Sequence, residues 1–245
     1  MSIFSPTPYR DTLSKAEQDV YRQITAGILE GEKEISIRCS AALQTNLSNI
    51  LQCIHHDHPE LFWVNWWSGI RFIHRPVLQR TTVQTMNLLE PGMIAACKNA
   101  LNSKVTELSV SFPKFRSPDL QYRFILGECI KEIDYKDTGS ALWDHTIIGP
   151  LLSHTAVCEG ISKLFLLYCQ HFNLPCITIS GSYNNAPHAW NVIAINDKSY
   201  HIDVTAALQQ GKILGQLLIT YKTSNQLMRL GYKWNNCVLL NTSGR

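Results

Sequence analysis

Charge is scarce in this 245-residue chain. Asp, Glu, Lys and Arg make up 17% of it and hydrophobic residues 45%. Average soluble domains carry about 25% charge, so a sizeable buried core is expected. No block of five or more like charges occurs and the formal net charge is only +3, which argues against a nucleic-acid partner. Glycine and proline are few, at 13 and 10, excluding a fibrous or linker-dominated chain. Long apolar runs are missing too. The most apolar stretch, Leu164 to Ile179, is broken by Gln170, His171, Asn173 and Pro175 and is too short and polar to span a bilayer. Residues Met1 to Pro8 show neither a basic n-region nor an apolar h-region, so a cytoplasmic location with no membrane partner is expected.

The eight cysteines (39, 53, 97, 129, 158, 169, 176 and 237) contain no C-x-x-C pair, so neither a zinc ribbon nor a thioredoxin-type motif is supported. In a reducing compartment they stay thiols, most of them packing as small hydrophobes. No metal and no cofactor is expected.

Periodicity outlines the elements. Ala16, Val20, Ile24 and Ile28 form a helical stripe, with Ser14 and Glu17 at capping-box spacing and Gly31 as the stop. Ile35-Ser36-Ile37 alternates like a short strand. Leu43, Leu47, Ile50, Leu51 and Ile54 predict one helix stopped by Pro59, and the aromatic, β-branched run Leu61 to Ile73 predicts a strand and hairpin with Gly69 near the turn. A helix is expected over 86–105, which Pro91-Gly92 either breaks or begins, and another over 119–133. Two prolines make 111–118 a connection. The domain boundary is placed there, giving an N-terminal α/β extension, 1–112, packing on a core of 113–245. A stable proteolytic fragment beginning near residue 115 would instead indicate two autonomous domains. After Cys158 a helix carries Ile161, Leu164, Phe165, Tyr168 and Phe172, followed by strands at 176–180, 188–195 and 199–205.

Three residues in this half carry chemistry. Cys158 opens a helix, where unpaired N–H groups and the dipole favour an anion. A nucleophilic Cys needs a base, and the base an orienting acceptor. His188 opens one strand and Asp203 closes the next. A two-residue turn at Asn196-Asp197 pairs Ile195 with Lys198. His188 then faces Thr205 and Trp190 faces Asp203, leaving His188 and Asp203 as diagonal neighbours on one sheet face. A three-residue turn without a bulge would separate them.

At these residues the sequence resembles the transglutaminase-like cysteine enzymes, related in fold to papain. Ala156-Val157-Cys158-Glu159-Gly160 is similar to the family's nucleophile motif, His188-Ala189-Trp190-Asn191 to its histidine motif, and Tyr200-His201-Ile202-Asp203-Val204-Thr205 to its aspartate motif. Asp144 to Leu151 resembles the loop leading to the Cys, and His58-Pro59-Glu60-Leu61-Phe62-Trp63 a segment of bacterial members. The clear resemblance covers about residues 119 to 205. It implies an α+β fold with an antiparallel sheet and flanking helices. Cys158 would be the nucleophile, His188 the base and then acid, and Asp203 the orienter. The reaction implied is acyl transfer at a peptide or protein amide, as protease, deamidase or transglutaminase. Ile148, where an aromatic residue is common, and Ala206, where Trp is usual, depart from the pattern and leave room for a non-catalytic binding module of the same fold.

Other residues have quieter readings. Cys158, His188, His201 and Asp203 are all zinc-capable, but no pair has the short spacing of structural zinc sites. His201 reads as a polar surface or supporting residue. His55-His56-Asp57-His58 reads as a helix C-terminus, and His154 as a loop histidine. Trp190 either walls a substrate cleft or fills the core. Trp63, Trp66 and Trp67 read as core or as an exposed docking patch. Trp143 and His145 are the candidates for substrate contact and for a second oxyanion donor beside the Cys158 N–H. The segment Gly181 to Pro187 is expected to be a specificity-setting loop.

Overall fold

The structure is a computed structural model that describes residues 6–114, 116–211 and 221–234. Met1 to Ser5, Phe115 in the proline-bearing connection and Cys237 lie outside the described residues. The chain divides into two compact units, Thr7–Ile94 and, counted with Pro6, the described part of Ala95–Arg245. No helix among the described residues is long and apolar enough to cross a membrane.

In the first unit, α1 (Lys15–Glu30) starts at a full capping box between Ser14 and Glu17 and stops at Gly31, whose φ of 81° is left-handed. Chirality makes that conformation cheap only for glycine. Gly27 brings α1 against β1 (Glu34–Arg38), since a Cβ there would lie 2.6 Å from Ile35. The single helix expected over 43–54 is two: α2 (Ala41–Gln44) and α3 (Leu47–Asp57). The strand expected over 61–73 is also displaced. Residues 61–69 are mostly turns, and β2 (Ile70–Arg75) pairs with β3 (Arg80–Thr85) around Pro76 to Gln79. Aromatic content marked burial rather than extension there: Leu61, Phe62, Trp63 and Val64 are all core. The sheet order is β1-β3-β2, antiparallel throughout.

Pro91 begins rather than breaks α4 (Pro91–Ser111), consistent with proline at a first helical turn. The connection at 111–118 lies inside the second unit, between α4 and α5 (Pro118–Glu132). After α5 come β4 (Asp134–Tyr135), α6 (Ala141–His145), a π-helical turn at Gly149–Ser153 and β5 (Thr155–Ala156). Next comes α7 (Cys158–His171), which packs against α5 and α6. Residues Gly160 through Cys169 are all buried. A helix buried on every side belongs at the centre of a unit.

Strands β6 (Cys176–Tyr183), β7 (Ala186–Ile195) and β8 (Lys198–Ile202) follow, then α8 (Val204–Gln209), α9 (Ser224–Arg229) and β9 (Tyr232–Trp234). Their antiparallel order is β8-β7-β6-β9, and α7 packs on β6 and β7. Ile195 pairs with Lys198, as the two-residue turn predicts. Asn196 and Asp197 both have positive φ, 48° and 60°, the signature of a type I′ turn. Asp197→Gly is therefore expected to stabilise the hairpin by about 1 kcal/mol, since a non-glycine residue gives up that much in this region. A rise in thermal midpoint would show it.

Gly181 to Pro187 is not a free loop. It is ladder, with Gly181 pairing His188, Ser182 pairing Pro187 and Tyr183 pairing Ala186 around a second positive-φ turn, Asn184-Asn185. The last strand also ends early. The β7–β8 ladder stops at Asn191–Ile202, and Asp203 caps α8 instead of closing a strand, accepting from the Ala206 N–H at 2.9 Å. An Asp side chain satisfying an orphan helix donor explains the switch from strand to helix.

Candidate active site

Cys158 is the first residue of α7. The preceding cap, Val157, has no side-chain acceptor, so the first-turn N–H groups lack a side-chain cap. Two glycines let the chain approach there. A Cβ on Gly160 would lie 2.6 Å from the Asp144 carbonyl oxygen and 2.8 Å from that of Thr146, and one on Gly149 would overlap the Trp143 carbonyl. The incoming loop is anchored by Asp144, which is buried and accepts from Thr138 N–H and Oγ1 and from Ser140 N–H, all at about 2.8 Å. Burial opposes its charge, but these hydrogen bonds prevail and hold the carboxyl below its ordinary range. Its own carbonyl accepts from Val157 N–H at 3.1 Å, fixing the residue before the thiol.

His188 lies on β7 and Asp203 just past β8, and the imidazole Nε2–H donates to Asp203 Oδ2 at 2.7 Å. Cys158 lies near enough to the His188 ring to act on its charge. With Nε2 engaged by the carboxylate, Nδ1 is the nitrogen left to face sulfur. Burial works against the imidazolium, yet the hydrogen bonds and charges of Asp203 and Cys158 outweigh it and raise His188 to about 9. Thus the structure brings the three sequence-predicted residues together. The expected pairs His188–Thr205 and Trp190–Asp203 do not form, since the ladder ends at Asn191–Ile202, yet the His188 and Asp203 side chains meet.

One member of this group was invisible to local sequence reading. Tyr232 on β9 donates its hydroxyl to the same Asp203 Oδ2 at 2.6 Å and sets its ring edge-on to His188, with centroids 5.8 Å apart. Its phenol is raised out of the ordinary range by burial and by the Asp203 charge, so it stays a donor. No motif spacing links a tyrosine 29 residues beyond its partner. Tyr232→Phe is expected to cost about 2 kcal/mol, as for a hydrogen bond to a charged group; urea unfolding would measure it.

Trp190 is not a cleft wall. It is completely buried, lies under His188 with rings 20° from parallel, and donates Nε1–H to His201 Nδ1 at 2.9 Å. His201, read as a polar surface or supporting residue, is buried and takes the supporting place. Burial lowers it to about 4, so the ring is neutral, accepts at Nδ1 and donates Nε2–H to Ser224 Oγ at 3.0 Å. It serves as a polar floor for the tryptophan.

His145 is fastened to α7. Its Nδ1 lies 2.9 Å from Glu159 Oε2, while Lys163 Nζ donates to Glu159 Oε1 at 2.7 Å and to the His145 carbonyl at 3.1 Å. The Glu159 hydrogen bond raises His145 above its usual value; burial lowers Lys163. Trp143 is half-buried and donates its N–H to Ser140 Oγ; among the described residues no hydrogen bond or ring contact joins it to Cys158, His188 or Asp203. Ile148 is buried, and Ala206 serves Asp203 through its backbone N–H, so neither departure removes a hydrogen-bonding group from the His188–Asp203 pair.

The seven described cysteines are free thiols, and Cys158 alone among them is not buried. No group of three or more potential metal ligands is found among the described residues. His154, with φ 57°, sits 4.0 Å from Glu132. In the other unit His55 stacks on Trp66 at 5.1 Å, with Trp67 exposed and Trp63 core.

No protein-family model matches the chain, and no curated protein matches it. Among solved structures it is similar to a candidate cysteine protease from Cytophaga hutchinsonii, at 13% identity over 51% of each chain and a TM-score of 0.38. It is also similar to a TGase, at 13% identity over 70% of this chain and 50% of the other, again with a TM-score of 0.38. The chain thus spans about half the length of either structure. The likeness is one of coarse fold, and the chemistry is argued from the site itself.

Proposed function

We propose that this protein is a transglutaminase-like, cysteine-dependent acyl-transfer enzyme acting on peptide or protein amides. The observation that carries the reading is the 2.7 Å hydrogen bond from His188 to the Asp203 carboxylate, with Cys158 near enough to raise the same imidazole. In the proposed cycle His188 takes the Cys158 proton, and sulfur attacks the amide carbon while the Cys158 N–H faces the developing oxyanion. The carbon–nitrogen bond breaks, the amine leaves with the proton from His188, and a thioester remains. Water or a second amine, deprotonated by His188, then attacks the thioester and releases the thiol. Asp203 keeps the ring in the tautomer that presents Nδ1 to sulfur and stabilises the imidazolium.

Iodoacetamide labelling at mildly acidic pH tests the nucleophile. Cys158 should label far faster than the other cysteines; slow, uniform labelling would favour a non-catalytic module. Ammonia release from a glutamine peptide separates deamidase and transglutaminase from protease, and amine incorporation separates those two.

A further inference from the structure

The solvent face of the first unit's sheet carries its arginines in register. Arg38 pairs with Arg80, and Arg80 with Arg75, so three guanidinium side chains form one row across β1, β3 and β2. Strand alternation puts Ser36, Thr82 and Ile73 in the next row and Glu34, Gln84 and Arg71 in the third. Ile35, Ile37, Thr81 and Val83 point the other way, into the core. Arg38, Arg71, Arg75 and Arg80 are all exposed. Among the described residues none of them forms an ion pair. Arg80 donates to Ser36 Oγ at 3.1 Å, and Glu34, the one acid on this face, accepts from Gln84 at 2.8 Å. Like charges directly opposite one another weaken a sheet. Three in one row are tolerable where an anionic surface faces them.

The adjoining turn supplies an independent observation. Between Arg75 and Arg80 the chain makes a short 3₁₀ turn at Pro76–Leu78, on which Val77 is 97% and Leu78 61% exposed. Ile73 on the arginine face is also exposed. An apolar tip ringed by arginines fits the boundary between anionic headgroups and acyl chains, the tip entering the apolar layer while the cations stay with the phosphates. A nucleic acid or acidic peptide would engage the arginines and leave Val77 and Leu78 in water. We propose that this hairpin face docks the protein on an anionic lipid surface. This departs from the sequence-based expectation of no membrane partner, which rested on the lack of a spanning segment and of a secretory signal.

The test is cosedimentation of the full chain with vesicles of pure phosphatidylcholine and of equimolar phosphatidylcholine and phosphatidylglycerol. Binding to the mixed vesicles alone, weakening as salt rises, is the expected result. The Arg75→Ala and Arg80→Ala changes should each lower partitioning roughly fivefold. Val77→Asp should lower it without removing any arginine. All these positions are exposed, so circular dichroism should match wild type. Binding to neither vesicle, equal binding to both, or folded variants that bind like wild type would overturn the proposal. Retention on heparin without vesicle binding would overturn it in favour of a soluble polyanion.

Discussion

Asp203→Asn should leave a folded protein whose turnover is lower by roughly three orders of magnitude or more, the scale seen when a triad carboxylate becomes an amide. The change keeps the shape and can still accept from Ala206 N–H. It removes the negative charge that, with Cys158, raises His188 to about 9 against burial. Wild-type turnover should therefore fall as pH rises through about 9, where His188 loses the proton that the leaving amine needs. In the variant that limb should move down toward 6.5, the ordinary histidine value. Stability follows the same sign. A histidine whose folded pKa exceeds its unfolded one contributes stability that is complete below about 6.5 and lost between there and 9. Urea midpoints of wild type should decline across that window, and those of Asp203→Asn should decline less. An unchanged pH–rate profile in a well-folded variant would exclude Asp203 from the mechanism. Cys158→Ala should abolish turnover altogether.

The largest stability loss is expected from Trp190→Ala, about 3–5 kcal/mol by the usual cost of emptying a large aromatic from a core. Trp190 heads the fully buried side chains. It touches His188, Tyr232 and Trp234 through ring contacts at 5.9, 5.2 and 5.6 Å. Its removal also strands the buried His201 Nδ1, which then lacks its donor. A loss of that size is a large share of the 5–15 kcal/mol by which domains are stable. Trp190→Phe should recover most of the packing but not the hydrogen bond. Denaturant unfolding of both variants checks the argument, and a loss below about 1 kcal/mol for the alanine would refute the core role of Trp190.

Much of the site was legible because its determinants are local. The Asn196-Asp197 turn sets the β7–β8 register, which brings the start of β7 and the end of β8 to the same region, and the Asp203 cap then completes the approach to His188. The apolar stripe from Ile161 onward and the Asn173-Leu174-Pro175 stop delimit α7 and leave Cys158 at its first turn. Ser14, Glu17 and Gly31 bracket α1 through groups within a few residues of each other. In each case the competing conformations differ by nearest-neighbour hydrogen bonds and φ preferences, which composition and spacing express directly.

Tertiary structure decided the rest. Whether Trp190 faces substrate or core depends on what covers it, and β9, Ser224 and His201 arrive from elsewhere in the chain. Tyr232 reaches Asp203 only because β9 pairs with β6, a contact with no turn to announce it. The run 61–69 was misread because apolar residues mark burial, and burial alone does not choose between strand and turn. The arginine row is the extreme case. Arg38, Arg75 and Arg80 show no charge block in a chain of net charge +3, and antiparallel pairing sets them side by side. Local propensities act over a few residues, whereas this row depends on which strand lies beside which, a choice made by the core face of the sheet.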